Sequence, residues 1–313
     1  MTRTDDPTDA QGAPPDHRCG YVALAGRPNV GKSTLLNALI GEHLSIVSER
    51  AQTTRERVAG IWSGPVAQII FVDAPGLLEP RYALQEAMRW CADRAISDAD
   101  LVVLVCDATR EDTFPGGPLL KAVGAGTREL LAVLNKCDLV EPTERNRLVD
   151  EIEARGPACV AVSALSGEGL ESLRRKVIRR LPESPPLFPV EDTATRPVRF
   201  FVEEYVRETC TALFREEVPY SIACRVEEFR EARDPVYVRA TIFVERESQK
   251  GIVIGRGGAS IRRVGEASRK KIEALLGRRV YLELRVKVLP RWSRRRDRLQ
   301  HLGFEVPPSG SVD

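Results

Sequence analysis

The sequence predicts two domains in tandem. The first is an α/β domain on a mostly parallel six-stranded sheet with one antiparallel edge strand. The second is a small α+β domain of order α-β-β-α-α-β. Three observations predict this. Near-continuous apolar runs alternate with amphipathic stretches over residues 20–182, the pattern of a parallel sheet covered on both faces. A proline-rich stretch interrupts that pattern at residues 183–197. Beyond it the strand-like runs alternate apolar and polar residues, as in a sheet with one buried face. A length of 313 residues fits two domains and a sizeable core.

Residues 1–18 are rich in Asp and Pro and read as a disordered tail. They contain no apolar stretch of the kind a secretory signal needs. The α/β domain spans 19–182. Its strands are the runs YVALAG (21–26), QIIFVDA (68–74), LVVLVCDA (101–108), ELLAVLNK (129–136) and CVAVSA (159–164). RVAGIW (57–62) lies close enough to QIIFVDA for a hairpin and supplies the antiparallel edge. Residues 183–197, with four prolines, form a linker. The second domain spans 198–304. FFVEEYVRETCTALF reads as a helix, SIACRVEEF and VYVRATIFVE as strands, and a helix–glycine turn–helix precedes a last strand, RRVYLELRVKVL. Residues 305–313 read as a second tail.

Composition narrows the function classes. No apolar run approaches the roughly 18–20 residues that span a bilayer. Seven cysteines are irregularly spaced with no CxxC, which argues against a disulfide framework or structural zinc and for reduced thiols in the cytoplasm. Only three histidines are present, no two close in sequence, so a histidine-based metal site is not expected. The net charge of +2 hides an asymmetry. Residues 246–300 carry 17 Lys and Arg against 5 Asp and Glu, a net of +12, and leave −10 for the rest. A basic block of this size points to a polyanionic partner.

Gly26-Arg27-Pro28-Asn29-Val30-Gly31-Lys32-Ser33 fits GxxxxGK[ST] between a predicted strand and the helical STLLNALI. Glycines there let backbone N–H groups turn inward around phosphate oxygens, and the helix N-terminus faces the same anion. Lys32 reaches the β- and γ-phosphates, Ser33 ligates Mg²⁺, and Thr34 follows at the same helix start. Asp73-Ala74-Pro75-Gly76-Leu77 ends the second buried run. Asp73 is placed to hold Mg²⁺ through water and the Gly76 N–H to meet the γ-phosphate. Asn135-Lys136-Cys137-Asp138 ends another strand, where the Asp138 carboxylate accepts both N1–H and N2–H₂ of guanine. Adenine lacks that donor pair, and sites built around such bonds discriminate by factors on the order of 10⁴. Ser163-Ala164-Leu165 ends the next strand, with the Ala164 N–H assigned to guanine O6. All these segments lie outside the carboxyl ends of strands, where ligands of open α/β sheets sit. In the loop 48–55, either Thr54 or Thr53 completes the Mg²⁺ shell. Lys32, Ser33, Thr54 and Gly76 are the catalytic candidates.

These motifs identify a GTPase domain. Within the translation-factor-related GTPases, the segments AQTTRERVAGIW (51–62), DAPGL (73–77), NKCD (135–138) and SALSGEG (163–169) resemble the Era family, in its order, and the resemblance covers about residues 19–302. Ile254-Gly255-Arg256-Gly257-Gly258, a GxxG turn in the basic block, resembles that of a type II KH domain. Its glycines admit a nucleic-acid phosphate and Arg256 adds charge without reading a base. The flanking groove takes about four single-stranded nucleotides. Lys250, Ile254 and Arg262 join the turn as candidate RNA contacts. Segments 245–250 and 299–304 also resemble the family, and Trp292 reads as a packing residue. Arg294-Arg295-Arg296 replaces a more acidic stretch expected there.

The resemblance implies a GTP-hydrolysing, GDP/GTP-dependent switch with Mg²⁺. Its KH domain would bind the 3′ region of 16S rRNA and assist 16S rRNA processing and assembly of the 30S subunit. It also implies a monomer and peripheral association with the inner face of the cell membrane. Many relatives position water with a glutamine where this chain has Leu77, so slow intrinsic hydrolysis is expected. Asn29 matches a P-loop asparagine that coordinates K⁺ in some relatives, so K⁺ is expected to accelerate it. Two other readings remain at this point: a membrane-associated signalling GTPase, and an RNA-binding module with a structural nucleotide.

Overall fold

The computed structural model describes residues 16–48, 50, 52–110, 112–114 and 129–308. The first sheet is assembled from β1 (Arg18–Ala25), β2 (Val58–Ser63), β3 (Ala67–Asp73), β4 (Leu101–Asp107), β5 (Glu129–Asn135) and β6 (Ala158–Ala161). Its order is β2-β3-β1-β4-β5-β6, parallel except for β2, which pairs antiparallel with β3 at the edge. Every residue of β3 and β4 is buried, as the unbroken apolar runs require. Helices α1 (Lys32–Ile40) and α4 (Leu170–Ile178) cover one face. There Leu35, Leu36, Leu39, Leu173 and Val177 pack on Val22, Leu24, Val103 and Val133. Helices α2 (Ala83–Asp98) and α3 (Pro142–Glu153) cover the other, through Ala92, Ala95 and Ile96 and through Leu148 and Ile152. All seven cysteines are buried thiols.

Two segments read from the sequence as loose are ordered where the structure describes them. Arg18 already starts β1, and His17 Nδ1 sits 2.8 Å from the Ser184 carbonyl oxygen; residues 1–15 of the expected tail lie outside the described residues. The expected linker 183–197 is laid against the sheet. Buried Gln68 holds it, accepting from the Leu187 and Phe188 N–H groups at 2.8 and 3.0 Å and donating to the Phe188 carbonyl at 2.9 Å. The Ile61 N–H then donates to Thr193 O at 2.9 Å, and Thr195 N–H to Ala59 O at 3.3 Å. The strap therefore satisfies the open edge of β2, which would otherwise present unpaired backbone groups.

The second sheet is β7 (Ala223–Arg230), β8 (Val236–Val244) and β9 (Val280–Val288), in that order, β7 antiparallel and β9 parallel to β8. Helices α5 (Val198–Leu213), α6 (Glu247–Ile254) and α7 (Ala259–Leu276) complete the order α-β-β-α-α-β. Val202, Val206 and Cys210 of α5 and Val264 and Ile272 of α7 pack on Val238, Ala240 and Ile242. A C-terminal segment carries a 3₁₀ turn at Trp292–Arg294 and a short α8 (Arg296–His301). Trp292 is fully buried, stacks on Phe304, and donates from Nε1 to Ser221 O at 2.8 Å, so it is a packing residue. With Leu299 and Leu302 it meets Leu84 and Met88 of α2, and one apolar cluster thereby joins the two sheets' domains. Glu305 pairs with Arg57 at 3.7 Å and Val306 packs on the same cluster; residues 309–313 of the second expected tail lie outside the described residues.

Candidate nucleotide and RNA sites

The loop between β1 and α1 is shaped by backbone conformations that few residues adopt. Asn29 and Gly31 have φ of 64° and 94°. A Cβ on Gly31 would lie 2.3 Å from Asn135 Nδ2, and one on Gly26 2.5 Å from Val105 O, so both positions demand glycine. Lys32 is buried and folds over the loop, donating to Arg27 O at 3.0 Å. Burial lowers its pKa, and nearby Asp73 opposes that. Gly76 closes against the loop: a Cβ there would lie 2.9 Å from Pro28 N. These residues open on a cavity of about 440 Å³ that Lys32, Ser33, Thr34, Thr54, Gly76 and Lys136 help to line.

At its floor, Ser33 Oγ donates to Asp73 Oδ2 at 2.6 Å and lies 2.9 Å from Thr54 Oγ1, which is itself 3.3 Å from Asp73 Oδ2. Thr53 turns away and donates to Arg50 O at 2.7 Å, so Thr54 is the threonine that joins the group. Burial raises the Asp73 pKa, and its Oδ1 is buried with no hydrogen-bond partner. Two hydroxyls and one carboxylate, one of whose oxygens has no partner, suit Mg²⁺, which takes few protein ligands and completes its shell with phosphate and water. Among the described residues no cluster of three His, Cys, Asp or Glu offers an all-protein metal cage.

The carboxyl ends of β5 and β6 form the adjoining wall. Asn135, almost fully buried, donates to Val30 O at 2.9 Å and accepts the Ala164 N–H at 3.0 Å, tying the phosphate loop to the 163–165 loop. The Ala164 N–H, assigned to guanine O6 from the sequence, donates to Asn135 in this structure. Lys136, at φ 65°, donates to Asn29 O at 3.0 Å and to Asp107 Oδ2 at 2.6 Å. Burial works against the Asp107 carboxylate, but hydrogen bonds from Lys136 and Thr109 outweigh it and hold the pKa below the usual range. Asp107 was missed because nothing in its sequence context marks it. Asp138 and Leu165 are exposed at the rim. Cys137 and Leu77, by contrast, send their side chains into the core, Cys137 beside Leu134 and Leu77 among Ile70, Val72 and Ala74. Leu77 thus takes no part in the cavity, and Leu78 lines it instead.

In the second domain Gly255, Gly257 and Gly258 all have positive φ, and a Cβ on Gly255 would lie 2.3 Å from Ser260 Oγ. Arg262 braces the turn through Gly257 O at 2.9 Å, while Arg256 is exposed. Lys250 lies one turn back on α6, 3.8 Å from Glu247. Beside the turn, α7 and the edge strand β9 frame a groove of about 310 Å³ that Ile261, Arg262, Arg269, Tyr281 and Leu284 help to line. Tyr281 is 58% exposed and stacks on Tyr237, ring centroids 5.8 Å apart, which presents an aromatic face at the groove. Ile261, Arg269 and Tyr281 join this groove with no motif in the sequence to mark them.

The two sites are joined through the loop that carries Thr54. Arg55, next in sequence, is buried and donates to Ile222 O at 2.6 Å, Tyr220 O at 3.1 Å and Pro219 O at 3.2 Å, with its guanidinium over the Trp292 ring. Burial, with repulsion from Arg207, brings its pKa down to about 9. Arg50 reaches Phe214 O at 2.6 Å. Glu208 of α5 accepts from Lys271 at 2.5 Å and meets His43 Nε2 at 2.9 Å.

Comparison with known proteins agrees with this geometry. Residues 21–136 match the family model described as 50S ribosome-binding GTPase, and residues 217–293 match the KH domain model. The GTPase Era of Trichlorobacter lovleyi is 43% identical over 295 residues, 92% of this chain and 98% of that one. That of Carboxydothermus hydrogenoformans is 40% identical over 296 residues with the same coverage. The chain belongs to the Era family of GTPases. It is a GTPase, and its two-domain fold is the Era fold. A crystal structure of an Aquifex aeolicus Era variant bound to GDP·AlF₄⁻ matches at a TM-score of 0.86 and 38% identity, covering 92% of this chain and all of that one. A structure of Era in complex with MgGDPNP and nucleotides 1506–1542 of 16S ribosomal RNA matches at 0.87 and 39%, covering 93% and 100%. Among the described residues no helix is long and apolar enough to cross a membrane.

Proposed function

We propose that this Era-family GTPase is a nucleotide-dependent switch that binds 16S rRNA near its 3′ end and assists 16S rRNA processing and 30S subunit assembly. The units are the GTPase domain over 19–182 and the KH domain over 198–304, joined by 183–197. One observation carries the reading: both candidate sites lie in one fold that matches an Era structure holding MgGDPNP and a 16S rRNA fragment together.

In the GTPase site, the Gly26–Thr34 loop holds the phosphates, with Lys32 supplying charge at the β- and γ-positions. Ser33, Thr54 and Asp73 hold Mg²⁺, which when bound neutralises charge developing on the phosphates. The Gly76 N–H meets the γ-phosphate, with Ala74, Pro75 and Leu77 serving through the backbone around it. Asp138 reads guanine from the rim, and Asn135, Lys136, Cys137, Ser163, Ala164 and Leu165 shape the base pocket. The Leu77 side chain is packed in the core, which supports slow intrinsic turnover. Asn29 lines the phosphate cavity, which supports K⁺ as an accelerating ion. Faster hydrolysis in K⁺ than in Na⁺ at matched ionic strength is expected. In the KH domain Lys250, Ile254 to Gly258 and Arg262 hold the RNA backbone at the turn. The chain acts as a monomer in the cytoplasm, with peripheral association at an anionic membrane surface as a secondary property of its basic block.

The test is binding of a single-stranded RNA from the 3′ end of 16S rRNA at one stated salt concentration, with the chain loaded with GDP or a non-hydrolysable GTP analogue. Tighter binding with the analogue is expected. Binding in neither state overturns the rRNA assignment.

A further inference from the structure

Outside the GxxG turn, arginines of the basic block build a second basic site. Arg246, Arg291, Arg294, Arg295 and Arg298 line an open cavity of about 890 Å³ together with Glu245 and Pro290. The carboxylate lining it is already committed: Glu245 Oε1 accepts the Ser293 N–H at 3.1 Å and the Ser293 hydroxyl at 2.6 Å. Arg295 is partly neutralised by Asp297 at 2.9 Å, and the neighbouring Arg296 turns away to Glu86 of α2, also at 2.9 Å. Arg246, Arg291, Arg294 and Arg295 are exposed, Arg298 half-buried. Five guanidiniums around one cavity repel one another, and a bound anion relieves that repulsion. Planar guanidinium forks match phosphate oxygens in pairs, which a lysine patch does not.

The position of this cavity selects the anion. The RNA groove runs between α7 and β9, and α7 starts at the GxxG turn. Helix α6 leads from that turn back to Arg246, a length of about 12 Å for its eight residues. β9 runs in the same sense from Tyr281 and Leu284 in the groove towards Pro290 and Arg291. A strand leaving the groove past the turn therefore meets the arginines next.

We propose that this arginine cavity is a phosphate subsite for the RNA segment that flanks the one held in the KH groove, adding affinity without reading base identity. The inference rests on RNA binding at the groove. Its consequence is local: the arginine-bearing segment packs on α2, through Trp292 and Leu299 against Leu84 and Met88, so RNA held there lies beside the helix that follows the Asp73–Gly76 loop.

The experiment uses the full chain and the variant Arg294→Gln/Arg298→Gln, whose side chains lie outside both the groove and the nucleotide cavity. Two single-stranded RNAs are compared by fluorescence anisotropy across a salt series: one long enough only for the groove, and one extended beyond it on both sides. The variant should bind the short RNA within about twofold of wild type. It should bind the extended RNA at least about fivefold more weakly, and its log K against log salt slope should be shallower by about 0.7 for each phosphate that the variant no longer neutralises. Equal weakening on both RNAs, or none on either, overturns the proposal. So does a variant that keeps RNA affinity but no longer sediments with vesicles of anionic lipid, which assigns the cavity to a membrane surface. Wild type that binds the short RNA but gains nothing from extension refutes the subsite alone. Wild type that binds neither RNA refutes the groove assignment and the subsite with it. Circular dichroism melts of the variant separate a folding defect from weaker phosphate binding.

Discussion

Glu56 follows Arg55 at the junction of the two domains, and burial raises its carboxyl to about 7; Arg225 and Arg196 pull it back, while Glu204 and Glu203 add to the rise. Its side chain is 15% exposed, with Arg196 3.6 Å away. The folded chain thus keeps a proton that the unfolded chain releases above its ordinary value of 4.5. Stability from this group is present below pH 4.5 and is lost as pH rises through about 7, by about 3 kcal/mol. Glu56→Gln should remove that loss. Denaturant midpoints of variant and wild type at pH 5 and pH 8 check it, and the variant should gain relative to wild type only at the higher pH. A difference independent of pH would mean that Glu56 is ionised when folded.

At the level of elements, Asn135 shows how the nucleotide site is held together. It ends β5, and its amide bridges the loop after β1 to the loop after β6 by two buried hydrogen bonds. Asn135→Ala leaves Val30 O and the Ala164 N–H without partners, at about 1–3 kcal/mol each. GTP affinity and the melting temperature of the GTPase domain should both fall, while the KH groove binds short RNA within about twofold of wild type; calorimetry and anisotropy on the same preparation check it. The sequence disclosed the asparagine but not this bridge, because a strand-end motif names residue types and not their partners. Elements with strong periodicity were legible throughout: the buried runs of β3 and β4, the β2–β3 hairpin, the α-β-β-α-α-β order. What escaped was set by tertiary contact. Residues 183–197 have linker composition, yet Gln68 and the unsatisfied edge of β2 give their backbone somewhere to bond. Tyr281 has no local signal for a groove that exists only where α7 meets β9. The choice between Thr53 and Thr54 was likewise decided by Asp73, nineteen residues on.

Over the whole molecule, a short piece of chain links the candidate nucleotide site to the KH domain. Thr54 faces the Ser33–Asp73 group, and Arg55 beside it is caged by three carbonyls of residues 219–222, the turn that leads into β7. The cage is closed by Trp292, whose indole holds Ser221 O from the other side. If the γ-phosphate orders the loop at Thr54, that ordering reaches the KH domain through Arg55, and RNA binding there would restrain the loop in return. Arg55→Met keeps the apolar stem over Trp292 and deletes the charged donors. Hydrogen bonds to a charged group are worth about 1.5–3 kcal/mol, so the variant should lose enough interdomain stabilisation for the two domains to melt in separate calorimetric transitions. Arg55 does not line the nucleotide cavity, so GTP affinity should stay within about twofold. The ratio of RNA affinities between analogue-loaded and GDP-loaded protein should fall towards one, from a wild-type ratio in the roughly 5–150-fold range typical of coupled sites. A variant that melts in one transition and keeps the wild-type ratio would place the coupling elsewhere, such as in the α2 packing against Trp292 and Leu299, another bridge between the domains.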